Sequence, residues 1–182
     1  MLREHELTWK NEDLYLYHGT DEESALNIIH FGVDLSRCSA LRDFGQGFYT
    51  TTHLEQAKNW GITKATRLRK RGRKSVGCVL ELQVSRDWLG GLDTLVFLRP
   101  AVETGFPQFV RFCRAGDAPH RSEGGDYQVV YGPVAQWNEM YFDPKLTLFV
   151  IENCDQVSFH NEAVTAPTSK LLAKIEKIWS ER

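Results

Sequence analysis

Residues 43–60, DFGQGFYTTTHLEQAKNW, constrain the fold more than any other stretch of the chain. Gly45 and Gly47 free the backbone for a sharp entry. Phe48 to Thr52 is aromatic and β-branched, which predicts a short strand. Thr52 with Glu55 three residues on has the spacing of a capping box. It predicts a helix that carries Leu54, Ala57 and Trp60 on one face and runs to about residue 70. A glycine turn, a strand and a helix in immediate succession would set Tyr49 and Trp60 facing one another. Two rings held on rigid elements make a slot for a flat ligand.

The segments on either side supply the rest of the fold. Leu14 to Tyr17 predicts a buried strand ending at His18-Gly19-Thr20, and Thr20 with Glu23 repeats the capping-box spacing. Ala25, Ile28 and Ile29 then give a helical face that Gly32 terminates. His18 and Gly19 are thereby expected at a strand-to-helix junction, a common station for ligand-facing residues. Ser75 to Val84 alternates clearly, with Val76, Cys78, Leu80, Leu82 and Val84 on one face. Residues 94–98 read as strand or the lead-in to a helix, and Pro107 to Arg114 as helix. Residues 115–126 read as an exposed loop. Tyr127 to Tyr131 predicts a strand closed by Gly132-Pro133, and Gln156 to Phe159 another. Leu146 to Ile151 does not settle its own period. Pro167 predicts a closing helix with Leu171, Leu172, Ile175, Ile178 and Trp179 on one face. With no regular β-α-β alternation the expected class is α+β, in one domain spanning residues 1–182.

Bulk properties exclude more than they assign. A net charge of -2 exerts no overall pull toward nucleic acid or acidic lipid. Cys38, Cys78, Cys113 and Cys154 are far apart with no CxxC pair, and HExxH is absent, so no metal site is expected. The charged opening MLREHELTWK lacks a signal-peptide core and no apolar run is long enough to span a bilayer. The expectation is a cytoplasmic protein with no membrane association, its cysteines free and buried. Against the mild acidity stands one dense basic run, residues 67–74, with Arg67, Arg69, Lys70, Arg71, Arg73 and Lys74. Such a run either solvates a helix end, where positive charge suits the dipole, or neutralises the phosphates of a nucleic-acid substrate.

YHGT at 17–20, the 43–60 stretch and QVSFHNE at 156–162, taken together, resemble the ADP-ribosyltransferases of the diphtheria-toxin and poly(ADP-ribose) polymerase type. The likeness is closest to a bacterial toxin-like branch with HG[ST], SR, DFGxGFY, DY-x-VV-x-GPVA and Q-x-SFH segments. It implies a split, bent mixed β-sheet with flanking helices and NAD in the cleft. His18, Tyr49 and Gln156 would then be the catalytic set. His18 would hydrogen-bond the ribose next to nicotinamide, and Tyr49 would lie under the ring. Gln156 would stand where the family has a glutamate. Gly19, Thr20, Arg37, Phe48 and Trp60 would complete the NAD site. Gly19 would serve the carboxamide, Thr20 the adenosine-side ribose, Arg37 the diphosphate, and Trp60 a second stacking face.

Two departures separate this chain from polymerase-type members. Ala57 occupies the position of a helix serine, and an amide replaces the carboxylate that stabilises a cationic sugar and deprotonates an acceptor. Single transfer to a nucleophilic acceptor is expected rather than chain elongation, with Glu162 or Asp126 as an assisting carboxylate. Glu162 and Glu152 also compete with Gln156 for the third position. The resemblance thus implies a mono-ADP-ribosyltransferase, acting as a toxin in a toxin–antitoxin or phage-defence setting with an antitoxin protein as partner. Its acceptor would be nucleic acid, RNA ahead of DNA, or else a protein side chain. An NAD glycohydrolase and an inactive NAD- or partner-binding module are the rival expectations. For each residue the plain structural role competes: a strand-end histidine, core aromatics, a surface arginine.

Overall fold

The computed structural model describes residues 11–98, 105–120, 124–136 and 150–181. Expectations for residues 1–10 and 146–149 lie outside that range. The strands are β1 (Leu14–Asp21), β2 (Phe48–Thr50), β3 (Gly77–Val84), β4 (Thr94–Val96), β5 (Val129–Ala135), β6 (Val150–Phe159) and β7 (Ile175–Ser180). The helices are α1 (Glu22–Phe31), α2 (Leu54–Lys70), α3 (Arg86–Gly90), α4 (Gly105–Arg114) and α5 (Glu162–Thr165), with a 3-10 turn at Leu35–Arg37. The fold is α+β. One sheet is antiparallel in the order β1-β3-β7, and the other is mixed in the order β2-β6-β5-β4, with β4 parallel to β5. A reciprocal pair of backbone hydrogen bonds between Tyr17 and Thr51, 2.8 and 2.9 Å, ties the two sheets together.

Apolar packing closes the joint. Leu16, Leu80 and Leu82 of the first sheet share a buried cluster with Phe48, Val157 and Phe159 of the second. A separate cluster of Phe44, Phe97, Phe106, Val110 and Val130 lies beneath α4. The alternation read in β3 is realised, with Cys78, Leu80, Leu82 and Val84 all buried. Val79 is buried too, because α2 covers the opposite face of that sheet.

The helix sits on bare backbone. A Cβ at Gly19 would stand 1.8 Å from the Ala57 carbonyl oxygen, and one at Gly77 would stand 2.6 Å from the Gly61 carbonyl carbon. Glycine at these positions lets main chain touch main chain. Among the described residues no helix is long and apolar enough to cross a membrane.

Several local expectations are corrected. β1 runs through His18, Gly19 and Thr20 instead of ending there, so His18 and Gly19 are strand residues and not junction residues. The α1 cap is Asp21, whose carboxylate accepts from the Ser24 amide, one residue beyond the predicted Thr20. At α2 the N-cap is His53 without a side-chain cap. Thr52 is drawn away because its amide and hydroxyl both donate to Asp155, a partner no local pattern reveals. β5 continues through Gly132 and Pro133, with a register irregularity between Pro133 and Ala135 absorbing the missing donor.

The closing helix expected after Pro167 does not form. Leu171 and Leu172 lie within a series of turns with both side chains buried, and Ile175–Ser180 forms strand β7. Helical spacing was incidental. β3 would otherwise expose a full edge of donors and acceptors, and β7 pairs with it antiparallel.

Candidate functional site

Between the sheets and α2 opens a cleft of about 720 Å³, within the size range of cofactor and substrate sites. His18, Gly19, Thr20, Arg37, Phe48, Tyr49, Trp60 and Gln156 all line it. Residues from β1, β2, α2, β6 and the 3-10 turn therefore converge on one space, although more than a hundred positions separate the first from the last in sequence.

His18 anchors this convergence. Its Nδ1 lies 2.6 Å from the Tyr49 carbonyl oxygen, and its ring packs on Phe48 at 4.6 Å between centroids. A carbonyl only accepts, so Nδ1 carries the proton and Nε2 is left as an acceptor. No group among the described residues bonds Nε2. Burial, outweighing the stabilising bond to Tyr49, pulls the imidazole pKa down to about 4. The ring is neutral at pH 7, with an unused acceptor in a residue that faces the cleft.

Tyr49 is fixed by its own loop. The phenol donates to the Gly45 carbonyl at 2.7 Å and accepts from the Phe44 amide at 3.0 Å, and its ring stacks on Phe44. Burial raises its pKa well above the ordinary value, keeping it protonated. Gly45 adopts φ +79°, a conformation that costs other residues, and so lets the loop curl back onto the hydroxyl. Trp60 is not paired with Tyr49: no ring contact joins them, and the indole is 45% exposed. The expected facing slot is thus corrected to two rings lining one cleft separately. The reason is packing, since Ala57, Gly61 and Ala65 form the buried stripe of α2 and turn Trp60 outward.

Gln156 lies deep within β6, opposite Gly132, and not at the head of a strand. Its amide nitrogen donates to Asp43 at 2.8 Å and to the Pro133 carbonyl at 3.0 Å. Asp43 in turn is clasped by Arg114 in a buried ion pair and by the Ala135 amide at 2.8 Å. A second carboxylate at position 156 would abut Asp43, and like charges this close do not both ionise. The amide is the residue that Asp43 tolerates. Glu152, Glu162 and Asp126, the alternative carboxylates, do not line the cleft.

Two expected ligand contacts prove to have structural duties. Gly19 is required by the approach of α2, and the Thr20 hydroxyl accepts from Lys64 at 2.8 Å. Sequence reasoning missed Asp43, Asp155 and His160. Asp155 accepts from Thr51 at 2.6 Å and from Thr52, while Gln56 bonds its backbone, fastening the start of α2 to β6. His160 holds the Gln46 carbonyl at 2.7 Å, behind Tyr49. Each of these contacts is long-range, and only the DFG and SFH spellings hint that the residues matter.

The basic run divides. Arg69 pairs with Glu181 and Arg73 with Glu23. Arg67, Arg71 and Arg73 line the cleft, while Arg69, Lys70 and Lys74 do not. The cysteines are free, with Cys78 and Cys113 buried and Cys38 and Cys154 half-buried. Among the described residues no group of three or more His, Cys, Asp or Glu side chains is gathered as for a metal ion.

The model of the family described as Protein of unknown function (DUF3990) matches residues 14–167, so the chain belongs to that family. No curated protein and no solved structure matches the chain.

Proposed function

We propose that this member of the DUF3990 family is an NAD-dependent mono-ADP-ribosyltransferase with the split-sheet fold of that enzyme class. One observation carries the reading. The His18 imidazole meets the Tyr49 backbone at 2.6 Å beside a cleft that Gln156 also lines. The three segments that carry the resemblance thus share one site.

The chemistry follows from these groups. The bond between the ribose carbon and the nicotinamide nitrogen breaks, and the ring leaves as neutral nicotinamide with the electron pair. The sugar carbon becomes cationic, and an acceptor attacks it and loses a proton. The leaving group is already positively charged, so orientation and water exclusion matter more than acid catalysis. His18, neutral and with Nε2 open, accepts a ribose hydroxyl without placing a positive charge beside the forming cation. The Gln156 carbonyl oxygen, unbonded among the described residues, is a second acceptor for the sugar. Tyr49 supplies a ring whose tilt its hydroxyl bonds lock. Asp43 is fully engaged and supplies no base, so the acceptor must itself be a good nucleophile. Single transfer follows.

In a cell such an enzyme acts as a toxin, and an antitoxin protein would block the cleft. The interlock of Gln156 with Asp43 favours one rival, a module that binds NAD without cleaving it. Purified protein is incubated with NAD labelled in the adenylate, alone and with separate RNA, DNA and protein pools. Label in a macromolecule together with free nicotinamide is the expected result. Nicotinamide without labelled macromolecule identifies a glycohydrolase, and binding without nicotinamide release identifies the module.

A further inference from the structure

The cations of the cleft exceed what a dinucleotide needs. Lys64 is engaged by Asp21 at 3.0 Å and Arg73 by Glu23. Arg37 and Arg42 from the 35–42 segment and Arg67 and Arg71 from the end of α2 also line the cleft. All four are exposed, and none has a carboxylate partner among the described residues. One diphosphate carries two negative charges, and Arg37 already stands as its candidate. The surplus lies at the C-terminal end of α2, Arg67 in its last turn and Arg71 as its cap.

Position on that helix is informative. At 100° per residue, Trp60, Arg67 and Arg71 fall within a narrow arc of one another, and all three line the cleft. The stripe begins where α2 touches β1, since Ala57 and Gly61 are the residues against Gly19, next to His18. It then leads away from His18 toward the C-terminal end of the helix. Its first member is an exposed indole with no ring partner, and its later members are arginines, which grip phosphate in bidentate fashion. An aromatic platform followed by a phosphate-binding row is the physical pattern of a single-stranded polynucleotide track.

We propose that the cleft face of α2 binds a single-stranded nucleic acid, one base stacked on Trp60 and the following phosphates held by Arg67 and Arg71, so that the strand enters the cleft as the acceptor. The acceptor role rests on the transferase reading, whereas the binding track does not. A single strand suits the site because a base must leave its stack for a ring to lie on Trp60. A duplex would present only phosphates.

Binding of fluorescein-labelled single-stranded RNA and DNA oligonucleotides to the full chain is measured by anisotropy across a salt series, beside NAD binding by calorimetry. For W60A, affinity is expected to fall about fivefold or more. For R67Q/R71Q the log–log salt slope is expected to fall by about 1.4. K70Q/K74Q changes two charges in the same run but outside the cleft, and should shift affinity less than twofold. Equal losses from K70Q/K74Q and R67Q/R71Q would overturn the track in favour of diffuse attraction. Loss of NAD binding with unchanged oligonucleotide binding in R67Q/R71Q would also overturn it, assigning the arginines to the dinucleotide. Oligonucleotide binding that follows the stripe in a protein that neither binds nor cleaves NAD leaves the track standing and ends the transferase reading instead.

Discussion

His18 and His160 hold the 46–49 segment at two points, and they differ in one respect. Each directs Nδ1 at a main-chain carbonyl, His18 at Tyr49 and His160 at Gln46. Each is pulled to a pKa of about 4, chiefly by burial. At His160 the remaining nitrogen accepts from Ser158 at 2.8 Å. At His18 it bonds no protein group among the described residues, and the residue lines the cleft. The same side chain in nearly the same electrostatic setting is closed in one place and open in the other. The nitrogen left unused, and not the perturbed pKa, is what separates the cleft histidine from the other.

The largest expected effect tests what the pair shares. In the unfolded chain both rings titrate near 6.5, and in the folded chain near 4. Between these values the unfolded state binds more protons, so stability is complete above pH 6.5 and falls as pH drops toward 4. Each histidine accounts for on the order of 3 kcal/mol of that loss. Urea denaturation from pH 7.5 to 4.5 measures it, and H18A and H160A should each remove roughly half of the slope. A slope indifferent to both substitutions would break the comparison at its premise.

The next effect separates the two. H160A strands the Gln46 carbonyl, while the Ser158 hydroxyl keeps the Val130 carbonyl at 3.3 Å, and should cost about 1–3 kcal/mol of folding stability, with nicotinamide release per folded molecule nearly kept. H18A also frees a carbonyl, that of Tyr49, but is set apart by activity, lowering nicotinamide release per folded molecule about 100-fold through lost orientation of the sugar. Thermal melts beside a nicotinamide assay read both, and equal activity losses would erase the distinction.

A smaller effect carries the contrast to Gln156, which is closed at its nitrogen and open at its oxygen. Q156E sets a carboxylate against Asp43 and should cost about 1–2 kcal/mol at pH 7. The new carboxyl has its folded pKa raised by that neighbour, so the deficit should shrink as pH falls and the shared proton is taken up. Denaturation midpoints at pH 7 and pH 5 test this, and a deficit that grows on acidification would refute it.

What could be read from the sequence follows the range of the forces involved. β3 was legible because its apolar alternation is local and its burial obeys it, and α2 was legible as a helix though not in its buried face. The meeting of His18 and Tyr49 at one cleft was legible because the motifs that surround them are short. β7 was not, because its place is set by the empty edge of β3, and Leu171, Leu172 and Ile175 satisfy a helical period without forming one. The Trp60 orientation failed because Gly61 and Ala65 decide which side of the helix is buried. Asp43 and Asp155 act on partners about 70 to 110 positions away, where no pattern within a window reaches.

The glycine contact beneath α2 has one further consequence. A seam lined by side chains can be retuned by repacking, a methyl group at a time. Where peptide planes rest on each other at Gly19, Gly61 and Gly77 there is nothing to repack. The spacing from β1 to the helix is set by atomic radii alone, and with it the reach from the imidazole to whatever lies along the indole and the arginines. Variants of this protein can change what enters the cleft by altering its rim, but not by widening the seat of that helix.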